Sequence, residues 1–373
     1  MKKIFMVMLS LILSATMMVS LAGCGESLEG THVFMFKSTG NTFGDLMYQG
    51  FKEYIESKGE TAINKSPSET SVTAQVKLID ELITQKVASI TISANGDAGF
   101  EEIIKKAQDA GIKVVSVDSK LSKDLRVTHI DPTSQALIGQ SLVHAAVLIS
   151  LGIDYPADGD LKSATETALA SYTGAEKKFG VLSASIDTPV QNGWIDQMKT
   201  ELARSIYTGK VSSTLDIKYG NDDPTASTTQ AQAFISDNKV DVIISPTTVG
   251  MAAAGQSLKT SSSTIKLTGL GLPSEMKGFM PNAATDDAFS YVCPYMMLWD
   301  VIDLGRVSAA AVYGAYKGEY TGAIDSTFTV GAFGEYSERT FTTIAHDDGG
   351  SLVIIGTPYV FNKDNMATWI PKL

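Results

Sequence analysis

The sequence predicts an α/β protein of two open, mostly parallel, doubly wound domains joined by a three-strand hinge, with a ligand cleft between them. Short apolar segments alternate with single segments of helical spacing, which implies right-handed crossovers and parallel sheets. The alternation restarts near residue 133. The chain has 373 residues, enough for two domains that each bury a core of their own.

The first half of the chain contains four predicted strands with a helix after each of the first three. The strands are apolar runs bounded by turn residues, at 33–36, 62–64, 88–92 and 114–117. The helices carry apolar residues at helical spacing, and a glycine ends two of them. They are predicted at 44–58, 71–85 and 100–110.

The pattern returns in the second half. Helices are predicted at 133–151, 193–202, 227–236 and 249–258, and strands at 179–182, 215–219, 240–245 and 265–270. Residues 154–173 are rich in Ala, Ser and Thr and are interpreted as an irregular surface insertion. Near the end, strands at 288–292 and 352–355 flank a helix over 298–316.

These elements predict the domain boundaries. The N-terminal domain is expected to comprise residues 32–131 and 285–326, and the C-terminal domain residues 132–284 and 327–373. The last helix or the tail can return to the first domain. The chain is expected to cross between the domains near 130–134, 272–287 and 325–335, where a hinge would let them close on a ligand.

The N-terminus is typical of a bacterial export signal. Residues 1–23 combine two lysines with an apolar run that ends in small residues. The apolar run is near spanning length, so a retained membrane helix is the alternative. The Leu21-Ala22-Gly23-Cys24 segment resembles a lipobox, which implies cleavage before Cys24 and lipidation of that residue. Residues 24–31 would then form a lipidated tether to the membrane.

Composition and charge exclude several classes of protein. The formal net charge is −11, and removing the two signal lysines makes it −13. An acidic chain lacks the clustered Lys and Arg that nucleic acid or anionic lipid requires, so any membrane attachment depends on the lipid anchor. Of the two cysteines, Cys293 would have no partner if Cys24 carries lipid. We expect Cys293 to be a buried, inert thiol, with a reactive thiol as the alternative.

Polar and aromatic side chains follow the predicted strands at the edge where parallel sheets bind ligands. They comprise one cation, carboxylates, an amide and aromatic rings, a mixture that suits the hydroxyls and apolar faces of a sugar-like ligand. Each residue also has an ordinary structural interpretation, such as a solvated lysine, a turn-capping aspartate or a core tryptophan. The candidates are Lys37, Phe43, Asp118, Asp187, Gln191, Trp194, Pro246 and Thr248.

The chain resembles type I periplasmic binding proteins of the sugar-binding branch, and within them the rhamnose-binding proteins and the Lsr-type receptors of autoinducer-2. The resemblance covers nearly everything after residue 31. The matching segments are 36–37, 117–119, 191–194, 244–250, 269–276, 298–300 (which contains Trp299) and 361–365.

The Lsr-type resemblance implies six ligand-binding positions for a tetrahydroxylated tetrahydrofuran. Four match at Lys37, Asp118, Gln191 and Pro246, and an alanine position is occupied by Thr248. The second family aspartate is replaced by Val190, which cannot accept a hydrogen bond; an unpaired buried hydroxyl costs about 1–3 kcal/mol. Asp187 or Thr188 could supply the missing acceptor.

The resemblance implies a monomeric substrate-binding lipoprotein on the outer side of the cell membrane. It would deliver autoinducer-2, or alternatively L-rhamnose or a related monosaccharide, to an ABC permease, with no cofactor and no metal. An enzyme is disfavoured because the chain has no nucleophile elbow, phosphate loop or zinc motif, and its four histidines are scattered. Adjacent pairs such as Asp222-Asp223 are interpreted as solvated turns. A receptor that presents its ligand to a membrane sensor remains a third alternative.

Overall fold

A computed structural model describes residues 28–332, 334 and 336–373. The expected signal segment 1–23, the lipidation site Cys24 and residues 25–27 of the tether lie outside the described residues. No described helix is both long enough and apolar enough to cross a membrane.

The first sheet has seven strands, which are β1 (His32–Met35), β2 (Ala62–Asn64), β3 (Ser89–Ile92), β4 (Lys113–Val117), β5 (His129–Asp131), β13 (Ile344–Ala345) and β14 (Ser351–Ile354). Their order in the sheet is β2-β1-β3-β4-β5-β14-β13, and all are parallel to their neighbours except the last. Val33 and Phe34 lie in different core clusters because successive side chains of a strand point to opposite faces. The helices packed around this sheet are α1 (Thr42–Ser57), α2 (Val72–Thr84), α3 (Glu101–Asp109) and α10 (Val301–Lys317).

The second sheet has four parallel strands in the order β7-β6-β8-β9. They are β6 (Phe179–Ser183), β7 (Asp216–Tyr219), β8 (Val242–Ser245) and β9 (Lys266–Gly269). The accompanying helices are α4 (Gln135–Ser150), α5 (Leu161–Ser171), α6 (Pro189–Leu202), α7 (Pro224–Asp237), α8 (Thr248–Lys259), α9 (Pro273–Met276) and α11 (Met366–Trp369). The expectation of an irregular insertion at 154–173 was therefore wrong for α5, which Asp160 caps by accepting a hydrogen bond from Ser163 N.

Two antiparallel ribbons complete the described fold. The first pairs β10 (Met296–Leu298) with β15 (Tyr359–Phe361), and the second pairs β11 (Thr327–Val330) with β12 (Arg339–Thr342). The strand expected at 288–292 was wrong, because that segment contains a short 3-10 turn over Ala288–Ser290 and the strand begins only at Met296. The two α/β sheets confirm the predicted fold class.

The chain passes between the two sheets at 132–134, 299–300 and 355–358. The first position agrees with the sequence analysis, but the expected crossings at 272–287 and 325–335 were wrong. Residues 285–298 stay with the second sheet, since Leu267 N donates to Val292 O at 2.8 Å and Gly271 N to Met297 O at 3.2 Å.

Residues 344–354 were expected in the second domain, but β14 joins the first sheet beside β5. Arg126 fixes this return, because its Nη2 lies 2.7 Å from Asp348 Oδ2 in the turn before β14. Short apolar runs such as β14 do not reveal which sheet they complete.

Helices α1 and α10 approach each other closely at two glycines. A Cβ atom at Gly305 would lie 1.8 Å from Met47 O, and one at Gly50 would lie 1.8 Å from Ile302 O. No side chain fits at either position, so the backbones can touch. This contact fixes the start of α10, and with it Trp299 at the second crossing.

Candidate functional site

A cavity lies between the carboxyl ends of the two sheets, and the empty space in it, open solvent included, is about 340 Å³. The predicted residues that line it are Lys37, Phe43, Asp118, Gln191, Trp194, Pro246, Thr248 and Trp299. The other lining residues are Phe36, Asn41, Asp222, Thr247, Leu270 and Leu298.

A buried ion pair forms the floor of the cavity on the first domain. Lys37 Nζ lies 3.0 Å from Asp118 Oδ2, and both side chains are almost fully buried. Ser93 Oγ donates a second hydrogen bond to the same carboxylate oxygen at 2.9 Å. Asp118 directly follows β4 in a left-handed conformation with φ of 60°, which Asp tolerates better than most residues.

Two buried amides hold the backbone that presents Lys37. Asn95 Nδ2 donates to Lys37 O at 2.8 Å, and Gln75 Nε2 donates to Phe36 O at 3.3 Å and to Ser93 O at 2.9 Å. Gln75 Oε1 accepts from Asn95 N at 2.9 Å. This network fixes the loop after β1, so the lysine is oriented before any ligand arrives.

Aromatic rings form one wall of the cavity and connect the two domains. Phe43 lies edge-on to Trp299 at 6.0 Å between ring centroids, and Trp299 lies edge-on to Trp194 at 5.9 Å. These spacings are typical of favourable edge-to-face pairs. The expectation that Trp194 is a core residue is consistent with its burial, although its ring also faces the cavity.

Two buried polar atoms of the lining have no hydrogen-bond partner among the described residues. They are Gln191 Oε1, an acceptor, and Trp299 Nε1, a donor. Gln191 lies in the first turn of α6, and its Nε2 makes only a long contact of 3.4 Å to Pro246 O. An unpartnered buried polar atom is costly, and a ligand that hydrogen-bonds to these two atoms would remove that cost.

Val190 and Asp187, the other two predicted residues, do not line the cavity. Val190 is 2% exposed and lies in the hydrophobic core beneath α6. Asp187 is exposed in the loop before α6, where its backbone N–H donates to Ser185 Oγ at 3.1 Å. Asp187 therefore does not supply the acceptor that is missing at Val190 in this arrangement.

The sequence analysis missed Asp222 as a site residue and interpreted it as part of a solvated turn; it does lie in a turn, but it is half-buried. It lies in the loop after β7, lines the cavity, and accepts a hydrogen bond from Thr247 Oγ1. Burial raises the pKa of its carboxyl, an effect that the nearby Lys37 opposes and the charge of Asp118 increases. The rule that ligands bind after parallel strands would have found this residue if applied to β7 as well.

Asn41 was also missed. It lies in the loop after β1 and lines the cavity. Its Oδ1 accepts a hydrogen bond from Gly44 N at 3.2 Å, so Asn41 caps α1. A capping asparagine just before an apolar helical pattern is readable from sequence, but its place on the cavity wall is not.

A serine, a histidine and an aspartate in the first sheet resemble a catalytic triad but lie away from the cavity. His129 Nδ1 is 2.9 Å from Ser116 Oγ, and His129 Nε2 is 2.9 Å from Asp131 Oδ1. All three side chains are buried, so no substrate can reach the serine hydroxyl. Among the described residues, no group of His, Cys, Asp or Glu is placed to hold a metal ion.

The second cysteine is structural. Cys293 is fully buried and free, and burial raises the pKa of its thiol far above the ordinary value. A thiol that stays protonated is a poor nucleophile, which agrees with the expected inert side chain.

Solved structures with similar folds are binding proteins of sugar transporters. An ABC transporter solute-binding protein from Clostridium phytofermentans with bound L-rhamnose is 33% identical, covers 92% of this chain and 98% of its own, and has a TM-score of 0.79. LsrB from Clostridium saccharobutylicum in complex with AI-2 (autoinducer-2) is 19% identical, covers 91% and 99%, and has a TM-score of 0.76. At that identity the second likeness supports the fold alone.

Curated relatives match over shorter stretches. The D-ribose/D-allose-binding protein of Pseudomonas aeruginosa is 27% identical over 120 residues, which are 29% of this chain and 38% of that protein. The chain thus spans less than half the length of this relative.

The periplasmic binding protein domain matches residues 32–319, which include the first sheet except β13 and β14, the whole second sheet and all residues of the cavity lining. The resemblance stated from sequence is therefore confirmed, and the expectation of a binding protein rather than an enzyme agrees with it. This chain belongs to the periplasmic binding protein domain family.

Proposed function

We propose that the chain is the substrate-binding lipoprotein of an ABC importer and that its cavity captures one small, polyhydroxylated, sugar-like molecule. The main support is the convergence of donors and acceptors from both sheets on one cavity. Lys37 and Asp118 contribute from the first domain, and Gln191 from the second. The orphan Gln191 Oε1 and Trp299 Nε1 would gain partners from ligand hydroxyls.

L-rhamnose is the first ligand candidate. The 33% identical protein holds L-rhamnose, whereas the protein in complex with AI-2 is only 19% identical. Val190 lies outside the cavity, so the second aspartate of the Lsr-type receptors has no counterpart at its expected place. The apolar side chains of Phe43 and Leu298 offer a surface for the methyl group of a deoxy sugar.

Autoinducer-2, which the sequence analysis favoured, is the second candidate. Its support is that the four residues matching the Lsr-type positions all line this cavity, namely Lys37, Asp118, Gln191 and Pro246. Quorum sensing would then be the role of the importer, instead of nutrient uptake.

Domain closure around the ligand is the proposed transport signal. Thr42, at the start of α1, hydrogen-bonds to Glu275 on α9, so the two domains touch across the cleft. Opening at the crossings would break this contact and admit the ligand. The closed protein, as a monomer, would then dock on the permease.

Tryptophan fluorescence tests ligand capture, because Trp194 and Trp299 line the cavity and the third tryptophan, Trp369, does not. Adding L-rhamnose or autoinducer-2 should change the emission of the purified protein saturably. The Trp369→Phe variant should keep this response, and Trp299→Phe should diminish it and bind more weakly. A response that only Trp369→Phe removes would contradict the proposed site.

Membrane anchoring has its own test. If Cys24 carries lipid, Cys24→Ser should release the protein from the membrane fraction, and labelled fatty acid should no longer be incorporated. Cys293→Ser is the matched control, because Cys293 is the other cysteine of the chain and is buried. That variant should remain on the membrane. Incorporation of labelled fatty acid into Cys24→Ser at the wild-type level would refute a lipid anchor at Cys24.

A further inference from the structure

Asp222 gives the cavity a second carboxylate, which no sequence motif of the chain predicts. It projects from the loop after β7, the strand next to β6 in the second sheet. Val190, which occupies the position of the second family aspartate and lies on α6 after β6, does not line the cavity. Asp222 therefore provides a hydrogen-bond acceptor that Val190 cannot provide. It lies at the same end of the sheet, after the neighbouring strand.

The backbone around Asp222 adopts an unusual conformation. Asn221 and Asp222 both have positive φ angles, 54° and 51°. Consecutive left-handed residues other than glycine are uncommon and strained, and such strain tends to be kept where it orients a functional side chain. Gly220 N and Asn221 N donate to Ser183 O and Ala184 O at 2.8 and 3.1 Å, which fastens the loop to the end of β6.

The adjacent Asp223 has a different task. Its Oδ1 accepts a hydrogen bond from Ala226 N at 2.7 Å, which caps α7, and the residue is exposed. The pair of aspartates thus separates into one helix cap and one cavity carboxylate.

Thr247 holds the Asp222 carboxylate in place. The Thr247 hydroxyl donates to Asp222 Oδ1 from the loop after β8, and Thr247 itself lines the cavity. A carboxylate offers about four lone-pair positions, so one donor leaves the remaining positions for ligand hydroxyls.

When the ionisable side chains that line the cavity are all charged, one negative charge is in excess. Among the described residues, the charged lining side chains are Lys37, Asp118 and Asp222, one cation against two carboxylates. The lysine is engaged with Asp118 at 3.0 Å. An anionic ligand would face the unbalanced charge of Asp222 in a site of reduced dielectric, whereas a neutral polyol would donate hydroxyls to it.

From these contacts we infer that Asp222 is the specificity-determining residue of the binding site, accepting hydroxyls of a neutral sugar and excluding sugar acids of the same size. This inference rests on the proposed function and narrows its ligand class. Thr247 acts as its positioning residue.

Calorimetric titration of the purified protein tests the inference with L-rhamnose, autoinducer-2 and the anionic analogue L-rhamnonate. The wild type should bind a neutral ligand and reject L-rhamnonate. Asp222→Asn should weaken neutral-ligand binding about 10- to 100-fold. It should also lower the ratio of the affinity for the neutral ligand to the affinity for L-rhamnonate by a factor of about ten or more. Asparagine tolerates the left-handed backbone and keeps an acceptor for Thr247, so this variant should fold.

Asp223→Asn is the matched control, since it removes the same charge one residue away and asparagine also caps helices well. Its affinities should stay within twofold of the wild type. Thr247→Val should weaken binding of the neutral ligand about three- to tenfold. This variant tests the inference if Asp222→Asn does not fold.

The outcomes separate the two proposals. If the Asp222→Asn and Asp223→Asn variants bind the neutral ligand with equal affinity, Asp222 does not determine specificity, and the proposed function is unaffected. Tight binding of L-rhamnonate to the wild type would have the same meaning. A wild type that binds neither neutral ligand would contradict both.

Discussion

Replacing Gln191 by leucine should weaken ligand binding without destabilising the unliganded protein. Gln191 is 5% exposed, and its Oε1 has no partner among the described residues. Its Nε2 lies a long 3.4 Å from Pro246 O. Leucine has a similar volume and no polar atoms, so the substitution removes a poorly paired amide without leaving a cavity.

The expected magnitudes follow from these contacts. An unsatisfied buried acceptor costs about 1–3 kcal/mol, and the weak Nε2 contact contributes at most about 1 kcal/mol, so the free energy of unfolding should rise by about 0–2 kcal/mol. In the complex, a ligand hydroxyl loses its partner. That loss of about 1–3 kcal/mol corresponds to a Kd increase of roughly 5- to 150-fold.

Urea unfolding and calorimetric titration with L-rhamnose and autoinducer-2 measure the two effects. Gln75→Leu is the matched control, because Gln75 is fully buried with its Oε1 and Nε2 both hydrogen-bonded. It should lose about 2–4 kcal/mol of stability. A Gln191→Leu variant that is destabilised by more than 2 kcal/mol and binds as tightly as wild type would refute the reasoning.

Three further predictions concern the scaffold. Gly305→Ala should destabilise the protein by about 1–3 kcal/mol or more in urea unfolding, because the added Cβ would clash with Met47 O. A urea midpoint equal to that of the wild type would contradict the close contact between α1 and α10. Burial would raise the pKa of Asp348, but hydrogen bonds from Gly350 N and Arg126 lower it from 3.8 to about 2. The stabilisation that this lowered pKa provides is present above pH 4 and lost as the pH falls through 2. Asp348→Asn should therefore lower the free energy of unfolding at pH 7 by up to about 2 kcal/mol and make it depend less on pH below 4. A variant whose unfolding has the same pH profile as the wild type would contradict this prediction. X-ray scattering should show a smaller radius of gyration when ligand is added, and no compaction would argue against domain closure.

The regular elements were predictable from sequence because buried parallel strands are apolar runs and their helices show a 3.6-residue period. Phe179–Ser183 and Val242–Ser245 illustrate this, since both strands are fully buried and were located to within two residues. Short edge strands such as Ile344–Ala345 carry too few residues for either pattern.

Long-range pairing was not predictable. The apolar run that became β14 was identified as a strand, but its partner β5 lies more than 200 residues earlier in the chain. The crossing at 299–300 was misplaced for the same reason, because only tertiary hydrogen bonds show that residues 285–298 remain with the second sheet.

The site was predictable where a residue directly follows an apolar strand, as for Lys37 and Asp118. Asp222 was missed because Asn221-Asp222-Asp223-Pro224 has the composition of a solvated turn. Its carboxylate is held at the cavity by Thr247, which is 25 residues away in the chain. The family resemblance also directed attention to Val190, which the structure places in the core.

Calorimetric titration of the purified protein with L-rhamnose and autoinducer-2, repeated on Lys37→Met, tests the central claim most directly. The account predicts that one neutral ligand molecule binds per chain, and that Lys37→Met loses most of the affinity. If Lys37→Met binds as tightly as the wild type, the cavity between the two sheets is not the capture site, and if neither ligand binds the wild type, both ligand assignments are contradicted.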